Sequence, residues 1–193
     1  MEMANDDGKP RYIFVIGTLC KRLAQTYDFT HISVGDLLRE KTHDTNISRY
    51  LENNELLPSQ YLFPVLRDAF RNALPGRPII LDGFPRQQEQ IGEFEETFDE
   101  PRLVLFFQCP RQLAKERVLG RKEGRPGDTS EVFDKRYKEY LELNPPILDY
   151  YGSIRGKGTL VEVNTSSGID VSWERLLKAL QERKEWKQLL RRD

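Results

Sequence analysis

Four arginines in the second half of the chain have a spacing suited to holding phosphate groups. Arg117 and Arg121 are four residues apart, which places them on one face of a predicted helix. Arg125 lies in a short loop containing Gly and Pro, at 122–128, and Arg136 lies on the helix predicted to follow. Two helices joined by such a hinge can carry an arginine onto a ligand and off again. Because phosphoryl transfer depends mainly on positioning and charge neutralisation, clustered arginines suit that chemistry. An ordinary charged helix pair is the alternative interpretation.

A second group of polar residues follows a short apolar segment, in the sequence LDGFPR at 81–86. Asp82, beside the turn at Gly83, offers a carboxylate that can hold a hydrated Mg²⁺. Arg86 offers a planar guanidinium to phosphate oxygens. Gln90 lies one predicted helical turn beyond Arg86, and its amide can donate and accept hydrogen bonds toward the edge of a base. The alternative is a turn that carries a surface arginine and a surface glutamine.

A weaker signal stands at 33–39, where the sequence reads SVGDLLR. Gly35 allows close approach of the backbone to a ligand, and Arg39 projects from the predicted helix one turn later. Taken alone, this pair is more typical of a solvated surface arginine than of a binding site.

The elements that must position these residues alternate between short apolar strands and helices. This alternation predicts a doubly wound α/β sheet, in which ligands bind beyond the carboxyl ends of the strands. The predicted strands are Tyr12–Ile16, His31–Ser33, Pro78–Leu81, Leu103–Phe107 and Leu160–Val163. The predicted helices are Leu19–Tyr27, Gly35–Lys41, Ser59–Leu74, Gln87–Phe94, Arg111–Arg121, Glu131–Tyr150 and Ser172–Leu190. The predicted core residues are Ile13, Phe14, Val15, Ile79, Ile80, Val104, Leu105, Val161 and Val163.

Composition narrows the possible partners. The chain has 193 residues, a formal net charge of -1 and 32% charged residues, which gives no general attraction for nucleic acid or for an anionic membrane. Its apolar runs are too short to span a membrane. The two cysteines, Cys20 and Cys109, do not form a disulfide framework, and both are interpreted as small buried side chains in a reducing compartment. We therefore expect a cytoplasmic protein that binds small molecules.

Taken together and in order, these motifs resemble the nucleoside monophosphate kinases, the family of adenylate kinases and UMP-CMP kinases. The resemblance rests on DGFPR with a glutamine four residues on, GDLLR after a strand, ELLP at 55–58, and the arginine series RxxxR, loop arginine, helix arginine. It runs from about Tyr12 to Leu180. It implies a single domain over 1–193 with a P-loop-kinase-like five-stranded parallel sheet in the order 2-3-1-4-5 and helices on both faces. Within that domain it implies a monophosphate-binding helical subdomain at about 34–64 and a short lid at about 121–131.

The resemblance also implies residue roles and co-substrates. Arg39 and Arg86 would bind the phosphate of the acceptor, Gln90 would read its base, and the clustered arginines would clamp the phosphates of ATP. The implied catalytic residues are Arg117, Arg121, Arg125, Arg136 and Asp82, with Asp82 helping to place Mg²⁺ through water. The implied monophosphate-binding residues are Gly35, Arg39, Leu57, Gly83, Arg86, Gln90, Arg125 and Arg136. The implied ATP-binding residues are Gly17, Thr18, Arg117 and Arg121.

One part of the family pattern is missing from the sequence. The family has a loop of the type GxPGxGKGT between the first strand and the first helix, whose amides and lysine surround the phosphates of ATP. Here only Gly17 and Thr18 stand where that loop is expected, so roughly seven residues are absent relative to the family. Lys21 lies within the predicted helix and points sideways. Because this loop normally holds the phosphates of ATP, we expect impaired phosphotransfer.

The gap has two explanations: a pseudokinase, or an incomplete chain from a shortened transcript or gene prediction. The closely matching flanks favour a discrete deletion.

The sequence leaves the acceptor and the final role open. A glutamine at the position of Gln90 occurs in adenylate kinases and in a fungal type of kinase that accepts both UMP and AMP. At the position of Val34, adenylate kinases usually have Thr and UMP-CMP kinases usually have Ala, so Val34 matches neither. AMP and UMP or CMP are both retained, with AMP slightly ahead. A catalytically dead module that binds a monophosphate or a protein partner is the alternative function. Short-lid members of the family are usually monomers, so a monomer is expected.

Overall fold

The computed structural model describes residues 10–17, 19–121, 127–152 and 156–191 and contains one five-stranded sheet. All strand pairs are parallel, and the strand order is β2-β3-β1-β4-β5. The strands are β1 (Tyr12–Ile16), β2 (Thr30–Ser33), β3 (Ile79–Asp82), β4 (Pro101–Gln108) and β5 (Leu160–Asn164). The predicted sheet and its strand order are confirmed.

Helices cover both faces of the sheet. They are α1 (Cys20–Tyr27), α2 (Val34–Glu40), α3 (Thr45–Glu52), α4 (Ser59–Arg71), α5 (Glu89–Thr97), α6 (Arg111–Leu119), α7 (Ser130–Tyr151), α8 (Ile169–Gln181) and α9 (Lys184–Leu189). Successive strand residues point to opposite faces, so Phe14 joins one buried cluster with residues of α2, α4, α5 and α7. Ile13 and Val15 join the other, with residues of α1, α8 and α9. All nine predicted core residues are buried.

Two helical predictions are wrong. The sequence pattern missed α3, which begins after Asp44, whose carboxylate accepts hydrogen bonds from the backbone N–H groups of Asn46 and Ile47 at 2.9 and 3.4 Å. The predicted helix Ser172–Leu190 is two helices, because the backbone at Arg183 is extended. This break allows Trp186 to pack edge-on against the ring of Tyr27, with their centroids 4.8 Å apart.

The connection between β1 and α1 is very short. Gly17 follows β1 with a φ of 144°, and Leu19 precedes α1 with a φ of 74°. Thr18 lies outside the described residues. The helix begins at Cys20 rather than at the predicted Leu19. Within the described parts of the chain, no helix combines the length and apolar character needed to cross a membrane.

Candidate functional site

A cavity of about 180 Å³ opens beside the residues that follow β2 and β3. Its walls come from α2, the segment between α3 and α4, the turn after β3, and α7. The lining includes Val34, Gly35, Arg39, Asn54, Leu57, Gly83, Arg86, Gln90, Arg136, Glu139, Tyr140 and Asn144. Seven of the eight residues implied as a monophosphate site therefore line one cavity, and the eighth, Arg125, lies outside the described residues.

Positive charge is concentrated at this cavity. Desolvation lowers the pKa of the Arg86 guanidinium, and the positive charge of Arg136 lowers it further. Arg86 is surrounded by the walls of the cleft but remains open to solvent. The pKa of Arg136 is lowered first by desolvation, and the charges of Arg39 and Arg121 act in the same direction, while Asp128 opposes them. The repulsion between Arg136 and these three other guanidinium groups makes the site favourable for an anion with several charges.

Three arginines of this cluster, Arg39, Arg121 and Arg136, contact a nearby acceptor. Arg39 donates to the carboxylate of Asp36, one turn earlier on α2. A guanidinium nitrogen of Arg121 lies 3.6 Å from Oδ1 of Asp128. Arg136 donates to the side-chain oxygen of Asn54 at 3.1 Å. These contacts position the guanidinium groups before a ligand binds, which reduces the entropy lost on binding.

Gly35 leaves room for the side chain of Arg39. A Cβ atom at this position would lie 3.3 Å from a guanidinium nitrogen of Arg39. The side chain of Arg39 therefore folds back over Gly35 toward the cavity. Gly35 and Arg39 were only a weak signal in the sequence, and in the structure both residues line the cavity.

Gln90 and Arg86 are placed differently from the prediction. Helix α5 begins at Glu89, so Arg86 lies in the turn before the helix instead of on the same helical face. The backbone N–H of Arg86 donates to Oε1 of Gln90 at 2.9 Å, and Nε2 of Gln90 donates to the carbonyl oxygen of Leu57 at 3.5 Å. Because Gln90 is buried, its amide fixes two walls of the cavity. One lone pair and one N–H of the amide remain for a base.

The other predicted arginines have other contacts. Arg117 donates to the carbonyl oxygen of Ser167 at 2.8 Å and lies 3.5 Å from Sγ of Cys109. It therefore contacts the segment after β5. Arg121 lies beyond the end of α6 at Leu119, rather than within that helix as predicted, and its charge acts on Arg136. Arg125 lies within 122–126, outside the described residues. Cys109 is half-buried, so the prediction that both cysteines are buried is correct only for Cys20.

Sequence reasoning missed several residues of the cavity wall. Asn54 follows α3 with a φ of 52°, a left-handed conformation that asparagine tolerates at the end of a helix. Glu139 raises the pKa of Arg136 and lies three residues after it on α7. Glu139 could have been predicted to lie beside Arg136, because residues three apart in a helix are neighbours on its surface. The contact of Asn54 could not be predicted from the sequence pattern, because its partner, Arg136, is 82 residues away in sequence.

A second group of polar residues lies at the ends of β2 and β3. Nε2 of His31 lies 3.1 Å from Oδ2 of Asp82. Burial raises the pKa of the Cys20 thiol well above its usual range, and a hydrogen bond with Asp82 acts in the same direction. Mg²⁺ takes oxygen ligands, and Asp82 is the oxygen donor among these three residues. Asp82 would therefore supply one contact to a hydrated Mg²⁺, and waters or substrate oxygens would supply the others.

The basic residues closest to the β1–α1 connection do not replace the missing lysine. Lys21 is exposed on α1. The guanidinium of Arg22 donates to Asp170 at 2.7 Å and lies 4.7 Å from the ring centroid of Trp173. Both side chains belong to α1 itself, beyond its first residue, so neither occupies the position at the strand end where the family lysine contacts phosphate.

Comparison with known proteins agrees with this geometry. The sequence model of the adenylate kinase family matches residues 15–156. UMP-CMP kinase 3 of Arabidopsis thaliana is 34% identical over 188 residues, covering 90% of this chain and 91% of the relative. UMP-CMP kinase of Prunus armeniaca is 32% identical, covering 88% of this chain and 77% of the relative. UMP-CMP kinase of Bos taurus is 28% identical, covering 88% and 96%. The fold, the arginine-lined cavity and these relatives show that the chain belongs to the nucleoside monophosphate kinase family, whose reaction is phosphoryl transfer to a nucleoside monophosphate.

Proposed function

We propose that the cavity binds the acceptor nucleoside monophosphate of a reaction in which the γ-phosphoryl group of ATP is transferred to form diphosphates. The observation that carries this proposal is the placement of Arg39, Arg86 and Arg136 in the wall of one cavity, where the charge of Arg136 interacts with both of the others and with that of Arg121. A monophosphate would reduce the repulsion among these positive charges, and guanidinium groups match its oxygens in geometry.

The acceptor we propose is UMP or CMP. The relatives with the highest identity quoted above are named UMP-CMP kinases, which shifts the balance from AMP, the slightly preferred acceptor in the sequence analysis. Val34, in the cavity wall, has no hydroxyl group to bond with a base. The remaining donor and acceptor of the Gln90 amide can pair with the edge of a pyrimidine, which carries both kinds of group.

Within this proposal the chain contributes positioning and charge. Arg39 and Arg86 hold the phosphate of the acceptor, and Arg136 and Arg121 face the phosphoryl group in transfer. ATP and Mg²⁺ are generally used by nucleoside monophosphate kinases, and the ion supplies neutralisation of phosphate charge when bound. Asp82 is the residue we assign to its water shell.

We also propose that transfer by this chain is slow, because the amides and lysine that normally surround the ATP phosphates are missing. Loss of a single positioned donor costs about 10²–10³-fold in rate, and this loop supplies several. The acceptor cavity does not share that loss, since its walls come from elements after β2.

Isothermal titration with UMP, CMP and AMP tests the acceptor site. We expect binding in about the micromolar to millimolar range, corresponding to roughly -4 to -8 kcal/mol. Arg86→Ala should weaken it by about 1.5–3 kcal/mol, because a charged hydrogen-bonding partner is lost. Arg71→Ala is the matched control, because that arginine lies on α4 with its side chain 72% exposed. Equal effects of the two substitutions, or no binding of any monophosphate, would contradict the proposed site.

The proposed function also suggests the partners, the compartment and the oligomeric state of the protein. Small nucleotides are the proposed partners, with neither nucleic acid nor membrane. We place the protein in the cytoplasm as a monomer. The absence of a disulfide between Cys20 and Cys109 supports a reducing compartment.

A further inference from the structure

Three side chains with different donor atoms meet at one point outside the arginine-lined cavity. Cys20 is the first residue of α1, His31 lies in β2, and Asp82 ends β3. One ligand atom from each of them lies within 4.8 Å of the other two, and the nitrogen of His31 and oxygen of Asp82 are 3.1 Å apart. We name these three residues the Cys20–His31–Asp82 cluster.

The sheet register explains why the cluster forms. His31 is paired with Ile80, and Asp82 lies two residues after Ile80 on the same face of β3. That face packs against α1, because Ile80 and Cys20 share a buried cluster. Leu81 points to the opposite face and packs with Leu38 and Leu57, both of which line the arginine-lined cavity. The cluster therefore lies on the other side of the sheet from the bulk of that cavity.

We propose that the Cys20–His31–Asp82 cluster binds one Zn²⁺ ion. Sulfur, imidazole nitrogen and carboxylate oxygen are the three ligand types that zinc takes in proteins, usually in a tetrahedral arrangement. Tetrahedral zinc would place these atoms about 3.3–3.6 Å from one another, so side-chain shifts of about 1 Å complete the site. Asp82 is also the residue assigned above to the water shell of Mg²⁺, so the two ions compete for it. The sulfur and nitrogen donors favour Zn²⁺ in that competition, because Mg²⁺ prefers oxygen ligands alone.

Access and coordination number follow from burial. The side chains of His31 and Asp82 are 17% and 26% exposed, so an ion can enter from their side, while Cys20 is buried beneath them. Three protein ligands leave a fourth position for water or a phosphate oxygen. When the ion binds, the sulfur–zinc bond replaces the S–H bond of Cys20, and the released proton passes to the buffer.

The short β1–α1 connection places Cys20 close to Asp82. Only three residues, at 17–19, separate the end of β1 from Cys20, so the start of α1 is held at the strand ends beside Asp82. In the family pattern a lysine-bearing loop stands before this helix and would bring a competing positive charge. The charge of Asp82 already acts on Arg86, and without that lysine a divalent cation can neutralise Asp82 further.

Zinc binding can be measured with a chromophoric chelator in competition with the purified full chain, in millimolar Mg²⁺. We expect one Zn²⁺ per chain. Cys20→Ser and His31→Gln should each weaken binding by at least about 10–100-fold. The chain provides matched controls, because it has two cysteines and two histidines. Cys109→Ser and the exposed His43→Gln should bind zinc as the wild type does.

Cobalt substitution gives a second readout that does not depend on affinity alone. Co²⁺ bound at the cluster should show a thiolate-to-cobalt charge-transfer band that Cys20→Ser removes and Cys109→Ser retains. Zn²⁺ should also raise the melting temperature of the wild type and of both controls but not of Cys20→Ser or His31→Gln. Less than one ion per chain, loss of zinc in millimolar Mg²⁺, or a charge-transfer band that survives Cys20→Ser would each overturn the proposal.

Discussion

A Cβ atom built on Gly17 would lie 2.6 Å from the Cβ atom of Phe107 on β4. Real Cβ atoms do not approach other atoms this closely, and Gly17 also has a φ of 144°. The residue that ends β1 therefore passes directly against the neighbouring strand before the chain turns into α1. The short connection between the strand and the helix depends on this one glycine.

We expect Gly17→Ala to destabilise the protein by about 2–5 kcal/mol, the sum of overpacking and backbone strain. Gly92→Ala is the matched control, because Gly92 lies within α5 and a Cβ atom there would meet nothing within 4 Å. That control should stabilise the protein by about 0.5–1 kcal/mol. Urea unfolding of both variants measures the difference, and a Gly17→Ala protein as stable as the wild type would show that the connection has another conformation.

Phosphotransfer by the chain should be at least about tenfold slower than the 1–100 s⁻¹ typical of kinases. The physical reason is the missing nest of backbone amides and lysine for the ATP phosphates. A coupled assay of diphosphate formation from ATP and UMP, CMP or AMP provides the measurement. A variant with a GxPGxGKG loop inserted after β1 serves as the comparison and should be faster. Equal rates in both chains would remove the loop as the explanation.

Val34→Thr should shift the choice of base toward AMP. The new hydroxyl adds a neutral hydrogen-bonding group to the cavity wall, which is worth about 0.5–1.5 kcal/mol. We therefore expect the ratio of AMP affinity to UMP affinity to rise by about 2–10-fold in titration calorimetry. Val65→Thr makes the same chemical change at an equally buried valine on α4 and should leave the ratio unchanged. A shift in both variants would indicate a general effect of destabilisation.

Tyr12 should make the folded state sensitive to alkaline pH. Burial raises the pKa of its phenol to about 12, and the negative charge of Asp99 contributes. In the unfolded chain the pKa is about 10, so the unfolded state loses its proton first. Stability from this group is complete below pH of about 10 and falls as the pH rises toward 12. Urea unfolding across this range should show a smaller loss for Tyr12→Phe than for the wild type.

The half-buried Tyr137 provides the control for that experiment. Tyr137→Phe should retain the alkaline loss of the wild type, because Tyr137 lies on α7 outside the sheet. An unchanged alkaline slope in Tyr12→Phe would mean that other groups cause the loss.

The strands, their order and the candidate acceptor residues followed from local patterns and from the family resemblance. Short apolar runs specify buried parallel strands because both faces of the sheet are covered. The motif LDGFPR consists of six consecutive residues, so it can be identified without knowledge of the fold. Seven of the implied acceptor residues accordingly lie at one cavity.

Details that depend on particular side-chain contacts, whether distant or local, were not predicted from the hydrophobic pattern. The last helix divides at Arg183, and the break accompanies the packing of Trp186 against Tyr27, a residue far away in the sequence. Arg86 lies before α5, where its backbone N–H donates to the side chain of Gln90. Helix α3 is short and depends on the Asp44 cap and on burial of Ile47.

The sequence by itself determined which residues could bind phosphate and which loop of the family pattern is missing, because both are properties of consecutive residues. Only the tertiary structure decided which charges stand together. The residues that meet come from separate elements: Arg136 is repelled by Arg39 and by Arg86, and Cys20 approaches His31 and Asp82. Strand register and helix packing set those distances, and the interaction of charges and donor atoms depends on distance in space rather than along the chain.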